Sequence, residues 1–472
     1  MVKHYILAIL IFCAFTVNAQ DSTPTNLSIS EKVYGLSKFW EEVNYNFIYL
    51  NRVDRKMWDS SYKSMIGQVI KTSNDYEYYR LLQKFCALLK DGHTNISFPP
   101  TFQNIMFNSM FGSYRIGLKN VNNKAIVSWT NYSKRNEVPV GSEIIEINNL
   151  PTELFIKDSV SPYISASTDY IIKDESIRNL FLGLEGTSYK LKIKKPSGQT
   201  FILNLTHSKT TEIEIYPKIE NKPLLDFKWY ENKIAYVSLN SFEDQKIDTL
   251  FKNILPQLYQ ARGLVIDLRY NGGGSTNIGE QIIQYLTNGN VLQHSRNFTR
   301  EHIASFKAWG EGLVPADTIN NSWNSKCFIY NHDMGIYPFD YSPDTINLKE
   351  KRIVIPTTLL IGHGTASAAE DFLIMADNQK HIIKIGERSY GSTGQPFAFD
   401  MPSGGIARIC TKKDTYPNGK EFVGIGVIPD ISVIPSVEDL INRTDPVILK
   451  AIEVLNNKSY SLGTLKVNLK EN

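Results

Sequence analysis

The sequence has few cysteines and little net charge. Of its 472 residues 4 are cysteine, and Cys86, Cys327 and Cys410 are those beyond residue 20. Three are too few for a disulfide scaffold, and their odd number leaves at least one free thiol. We predict that they are buried structural thiols. The formal net charge of +3 argues against a dedicated nucleic-acid surface, so no nucleic-acid partner is expected.

Long hydrophobic runs and metal-binding motifs are also lacking. After the first twenty residues, no apolar stretch reaches the 18 residues typical of a transmembrane helix. The sequence has no HExxH motif, and its 8 histidines are scattered. We therefore expect no metal, no other cofactor and no integral membrane segment in the mature chain. The oligomeric state is not indicated.

The first residues have the pattern of a secretory leader. Lys3 and His4 precede an apolar run over residues 5–17, and Val17-Asn18-Ala19 resembles a small-residue cleavage site. We predict a signal peptide at residues 1–19 and export to the periplasm or the extracellular space.

Hydrophobic periodicity divides the rest into regions, and we predict an α+β multidomain protein. A helical region over residues 28–105 is indicated by apolar side chains at helical spacing, as in Leu36, Phe39 and Val43. A β-rich domain is predicted at residues 106–215, where residues 189–194 alternate with period two.

Strand and helix patterns alternate over residues 216–445, which predicts an α/β core, and residues 446–472 are expected to form a C-terminal tail. Residues 295–350 have no clear period, and we interpret them as an irregular insertion near the functional site.

A single serine, Ser367, stands among small residues between a predicted strand and a predicted helix. This position exposes a hydroxyl and places it beside the free N–H groups of a helix N-terminus, as a catalytic nucleophile requires. The simpler alternative is that Ser367 only caps the helix, with Glu370 completing a capping box.

Two further segments favour the catalytic interpretation. The buried-type strand ending at Asp267 leads into three consecutive glycines, Gly272, Gly273 and Gly274. Glycines let a backbone approach a ligand, so an N–H from this loop and that of Ala368 could form an oxyanion hole. At the end of the helical region stands His93, a candidate base.

Together these segments resemble the serine peptidase family of carboxyl-terminal-processing and tricorn-core peptidases. The matching motifs are Asp91-Gly92-His93-Thr94, Asp267-Leu268-Arg269-Tyr270-Asn271-Gly272-Gly273-Gly274, Thr365-Ala366-Ser367-Ala368-Ala369-Glu370, Ile385-Gly386-Glu387-Arg388-Ser389-Tyr390-Gly391 and Gly424-Ile425-Gly426-Val427-Ile428-Pro429-Asp430. The resemblance implies a PDZ-like domain at 106–215, a ClpP/crotonase-like core and a peptide or protein substrate.

The sequence departs from the family pattern at positions that decide which residue is the catalytic base. In the processing branch a lysine follows Tyr-Gly, whereas Ser392 stands here and Lys380 and Lys384 are out of register. In the tricorn branch the base is a histidine, which His93 matches, so the chain is more similar to that branch. The glutamate that supports the tricorn site falls in strict register on Val423.

The resemblance therefore implies an exported serine endopeptidase or carboxyl-terminal-processing peptidase with Ser367 as nucleophile and His93 as base. Glu421 or Ser392 is expected to orient the imidazole. The activity should then rise through a pKa in the histidine range, roughly 6–7.5. Two alternatives stay open: a non-catalytic peptide-binding member of the same family, and an acyl hydrolase such as an esterase using the same serine.

Overall fold

The computed structural model describes residues 26–457, so the predicted signal peptide lies outside the described residues. The first region consists of α1 (Ile29–Asn46), α2 (Arg55–Val69) and α3 (Asp75–Ala87), followed by strand β1 (Asn95–Ser97). The side chains of Leu36, Phe39 and Val43 are buried, as the helical spacing predicts. Ser28 caps α1 by accepting the N–H of Glu31.

The second region is β-rich. Its strands are β2 (Met106–Phe107), β3 (Met110–Phe111), β4 (Tyr114–Val121), β5 (Lys124–Asn131), β6 (Glu143–Ile147), β7 (Leu150–Pro151), β8 (Gly183–Leu184), β9 (Ser188–Lys194), β10 (Thr200–Thr206) and β11 (Ile215–Tyr216). Its helices are α4 (Thr152–Ser159) and α5 (Asp169–Arg178). The main sheet has the order β10-β9-β6-β5-β4-β3. In β9, Tyr189, Leu191 and Ile193 are buried between exposed or half-buried neighbours, which is the predicted alternation.

The third region is an α/β core. Its strands are β12 (Leu225–Tyr230), β13 (Ile234–Leu239), β14 (Gly263–Asp267), β15 (Val291–Leu292), β16 (Arg296–Arg300), β17 (Ile336–Pro338), β18 (Asp344–Thr345), β19 (Thr357–Ile361), β20 (Ile382–Gly386), β21 (Pro396–Asp400), β22 (Ile406–Cys410), β23 (Lys412–Thr415) and β24 (Ile431–Ser432). Its helices are α6 (Lys246–Leu258), α7 (Thr276–Leu286), α8 (Ala304–Trp309), α9 (Ser322–Asn331), α10 (Ala368–Ala376), α11 (Val437–Asn442) and α12 (Pro446–Asn456). Cys86, Cys327 and Cys410 are buried free thiols.

The central sheet has the order β12-β13-β14-β19-β20-β24, and all neighbours after β13 run parallel. Its central strands β13, β14 and β19 are buried on both faces. In β13, Ala235 and Val237 pack with α6, α7 and α10, while Ile234 and Tyr236 pack on the opposite face with α12. Because the strands are parallel, the segments that follow β14, β19 and β20 emerge at one edge.

The helical region and the core share one hydrophobic interior. Leu36, Trp58 and Phe85 belong to the same buried cluster as Ile266 and Phe372. In addition, β1 pairs antiparallel with β22. The loop between α3 and β1 is therefore fixed beside the core.

Two expectations differ from the structure. The segment 295–350 contains α8, α9 and several short strands, because its aromatic side chains Phe306, Trp309 and Trp323 pack on one another. The predicted tail begins with α12, which buries Val447 and Val454 against the sheet and so is part of the core. Within residues 26–457, no helix is long and apolar enough to cross a membrane.

Candidate active site

Ser367 stands on a sharp turn between β19 and α10. Its backbone has φ 56° and ψ −125°, a region that non-glycine residues occupy only at a cost of about 1–3 kcal/mol. The buried Thr365 fixes the turn. Its hydroxyl donates to the carbonyl of Leu268 at 2.9 Å and accepts the N–H of Gly362 at 3.1 Å. A strained strand-to-helix turn of this kind exposes the serine hydroxyl at the sheet edge.

His93 lies against this serine. Its Nε2 is 3.2 Å from the Oγ of Ser367, although 274 residues separate them in the chain. Its Nδ1 is 2.8 Å from the Oγ of Ser392. If Nδ1 carries the proton and donates a hydrogen bond to Ser392, Nε2 has a free lone pair directed at the hydroxyl of Ser367.

The imidazole is uncharged at neutral pH. Burial, together with the positive charges of Arg408 and Lys412, lowers the pKa of His93 to about 4. A neutral imidazole can accept a proton, whereas an imidazolium cannot. The base form therefore persists to a lower pH than an ordinary histidine would allow.

The carboxylate of Glu370 ties the serine turn to the segment that follows β20. Glu370 is fully buried, and it accepts the N–H groups of Ser367 at 3.2 Å, Gly391 at 2.8 Å and Ser392 at 3.1 Å. The hydroxyl of Ser389 donates to it at 2.5 Å. Burial raises the pKa of Glu370 to about 8, and these four donors limit the rise by stabilising the carboxylate.

The glycine loop after β14 packs directly on the serine turn. A Cβ on Gly273, whose φ is +102°, would lie 2.6 Å from the Cβ of Ser367 and 2.9 Å from the nitrogen of Ala368, so only glycine fits. Gly274 lies against Phe242, and the N–H of Gly273 donates to Asn271 at 2.9 Å.

The open donor beside the serine is the N–H of Ala368. As the first residue of α10 it has no acceptor within its helix, and none is found among the other residues that the structure describes. The N–H of the exposed residue Gly272 likewise has no acceptor among the described residues.

A strap from the β-rich region, which we define as residues 167–170, fixes both loops. Ser167 accepts the N–H of Gly92 at 3.0 Å, directly before His93. Tyr170 donates to the carbonyl of Ser389 at 2.6 Å, and Thr168 donates to that of Tyr390 at 3.4 Å. The strap therefore connects the loop of His93 with the loop of Ser392.

The structure does not place Glu421 at the imidazole. Among the described residues its carboxylate pairs with Arg52 at 2.6 Å and with Lys413. We correct the expectation that Glu421 orients His93, because its side chain is held by these two cations. Lys384 is also held away, in an ion pair with Asp377 at 2.7 Å. Ser392 is the predicted residue that reaches His93.

The sequence reasoning recognised Glu370 only as a capping residue and missed Ser167. The spacing Ser367-x-x-Glu370 was the available signal for Glu370, since a buried glutamate at that position also reaches neighbouring loops. Ser167 lies 75 residues from Gly92 and carried no local signal. In the described part of the chain, no group of three or more histidine, cysteine or acidic side chains could hold a metal ion.

Comparison with known proteins finds a peptidase family and a shared fold. Residues 233–433 match the sequence pattern that defines peptidase family S41. A carboxyl-terminal-processing protease from Picosynechococcus is 22% identical over 367 residues, which cover 76% of this chain and 73% of that protein. The chloroplastic carboxyl-terminal-processing peptidase 1 of Arabidopsis thaliana is 26% identical over 124 residues, 25% of each chain. Mature CPAF complexed with lactacystin has a TM-score of 0.66 at 14% identity, covering 90% of this chain and 98% of that one, so the two share a fold.

Replacing Glu370 by glutamine tests whether the carboxylate holds the site together. An amide offers one acceptor oxygen and would point its NH₂ at backbone donors, so we expect Glu370→Gln to lower the free energy of unfolding by about 2 kcal/mol or more. Urea denaturation at pH 8 measures this. Glu453→Gln, at an exposed position of α12, is the control and should change it by less than about 0.5 kcal/mol. Equal midpoints for the two variants would contradict the role given to Glu370.

Proposed function

We propose that this chain, whose residues 233–433 match peptidase family S41, is a serine-type peptidase that hydrolyses peptide bonds through an acyl-enzyme on Ser367. The observation that carries the proposal is the approach of His93 Nε2 to Ser367 Oγ at 3.2 Å. This distance fits a base that takes the serine proton.

In the proposed reaction, the Oγ of Ser367 attacks the substrate carbonyl carbon as its proton passes to Nε2 of His93. The tetrahedral intermediate then expels the amine, which takes that proton from His93. A water molecule attacks the resulting ester, His93 again removes a proton, and Ser367 regains its hydrogen as the acid product leaves.

The developing oxyanion is stabilised in this mechanism by backbone donors. The N–H groups of Ala368 and Gly272 supply them, whereas the N–H of Gly273 already donates to Asn271. Their fixed positions mean that little reorganisation is needed at the moment of reaction. Losing one such donor typically costs about 3–4 kcal/mol of transition-state stabilisation.

We assign the orienting role to Ser392, which gives the site a tricorn-type base with a hydroxyl in the place of a carboxylate. The geometry behind this assignment is the 2.8 Å distance between Nδ1 of His93 and Oγ of Ser392. A hydroxyl can accept the N–H of Nδ1 without adding a negative charge, so it stabilises the imidazolium less than a carboxylate would.

The regions around the site support finer assignments of the same proposal. The β-rich region at 106–215, a sheet with the helices α4 and α5, is proposed to be PDZ-like and to bind peptides by strand addition. The core at 216–445 is proposed to be ClpP/crotonase-like. The leader pattern at residues 1–19 supports export to the periplasm or the extracellular space.

A serine-directed fluorophosphonate tests the function most directly. We expect it to label Ser367, and Ser367→Ala to abolish labelling, because the reagent needs an activated hydroxyl. Mass spectrometry locates the label, and Ser60→Ala, on the surface of α2, is the control. Folded protein that takes no label would indicate the non-catalytic peptide-binding alternative. Labelling with cleavage of esters but of no peptide would indicate an acyl hydrolase.

The pH dependence tests the base. Because the neutral imidazole is the active form and its pKa is lowered to about 4, kcat/KM should stay high down to about pH 5 and fall below it. This places the acidic limb below the range of 6–7.5 expected from sequence. His93→Ala should cost about 100-fold or more in kcat/KM, and Lys384→Ala less than about twofold. The assignment would be overturned if Lys384→Ala lost activity while His93→Ala remained active.

The pair Ser392→Ala and Glu421→Gln tests the orienting residue. Removing the partner of Nδ1 should lower kcat by about tenfold with little change in KM, since it misorients the base without touching substrate. Glu421→Gln is the matched comparison and should change kcat by less than about twofold, because its ion pairs are half-exposed. The reverse order of effects would return the role to Glu421.

A further inference from the structure

A cavity of about 730 Å³ opens beside the strand that follows His93. Its floor is one face of the sheet β1-β22, where Asn95 lies opposite Arg408 and Ser97 opposite Ile406. Its volume is in the range of natural small-molecule and side-chain binding sites.

The walls of this cavity combine apolar and uncharged polar groups. Phe98, Phe102 and Met106 supply apolar surface. Gln83 donates to the carbonyl of Ile96 at 3.0 Å and so fixes the strand at the cavity floor. No carboxylate lines the cavity among the residues that the structure describes, and Arg408 is its one charged residue there.

Arg408 has no ion-pair partner within 4.0 Å in residues 26–457. In the register of the sheet its neighbour on β21 is Ala398, and Asp400 lies two residues further along that strand. Such a diagonal separation is about 7–8 Å. The guanidinium is exposed at the cavity and its charge is not neutralised by the fold.

The cavity is connected to His93 through β1, although Ser367, His93 and Ser392 do not line it. Asn95, which pairs with Arg408, is two residues from His93 in the chain. The charge of Arg408 contributes to the lowered pKa of His93, which is consistent with a guanidinium close to the imidazole. A peptide bound at Ser367 would therefore have side chains within reach of the cavity.

We propose that this cavity binds an acidic side chain of the peptide substrate and that Arg408 pairs with its carboxylate. The inference rests on the proposed function and names the substrate class of that site. A guanidinium binds a carboxylate through two parallel hydrogen bonds, and the partly apolar walls strengthen that attraction. A lysine side chain in the same place would be repelled.

The test uses fluorogenic peptides of one sequence in which glutamine is replaced by glutamate at one position at a time on either side of the scissile bond. At pH 8, where His93 is neutral, we expect glutamate at one position to raise kcat/KM about tenfold or more over glutamine. Arg408→Gln should reduce this preference to about twofold or less, and Arg408→Glu should transfer it to lysine at the same position. The preference is measured within each variant as the ratio of kcat/KM for the glutamate peptide to that for the all-glutamine peptide, so that a general change in activity cancels.

The control is Lys38→Gln, which removes a positive charge that lies over Phe399 on the other edge strand of the same sheet. It should keep the full preference. Equal cleavage of all peptides by the wild type, or a preference unchanged in Arg408→Gln, would overturn the inference. A preference that depends on whether the C-terminus of the peptide is free or amidated, and not on the side chain, would also overturn the inference. Failure of the proposed function is distinct, because then no peptide is cleaved and Ser367 takes no fluorophosphonate.

Discussion

Four donors converge on the buried carboxylate of Glu370, and the geometry of the candidate site depends on that convergence. One comes from the serine turn and two come from the Gly391–Ser392 segment, so one side chain sets the distance between Ser367 and Ser392. A buried charge is stable only when its hydrogen-bonding capacity is filled. The same interaction therefore stabilises the fold and fixes the chemistry, and neither can vary without the other.

The rest of the site is arranged around this carboxylate by parallel strands and by one crossing segment. The sheet brings the glycine loop, Ser367 and Ser392 to one edge because β14, β19 and β20 are neighbours. His93 comes from outside the sheet and is held by the shared hydrophobic interior and by the strap at residues 167–170. Loops that carry functional groups are rigid when their backbone polar groups are bonded from several directions, and here three parts of the chain supply those bonds.

Local patterns in the sequence predicted the parts of this structure that local physics determines. Helical spacing predicted α1 to α3, and strand alternation predicted β9. The small residues around Ser367 predicted a strand-to-helix turn. Residues 295–350 were misjudged as irregular, since α8 and α9 are held by aromatic packing between segments that are distant in sequence. The order of the motifs along the sequence predicted the family resemblance. It did not predict where the side chains of those motifs point. Glu421 is an example. It lies two residues from the position of the tricorn glutamate, but its ion pairs with Arg52 and Lys413 determine where its carboxylate points.

The pairing of β1 with β22 has a consequence for the order in which the protein matures. The strand that follows His93 finds its partner only in residues 406–410, more than 300 residues later in the chain. A polypeptide that is still being synthesised therefore has the histidine without the strand that holds it in place. Hydrolytic competence would arrive only when nearly the whole chain has emerged and collapsed, so topology alone delays the protein from acting on its own unfolded segments.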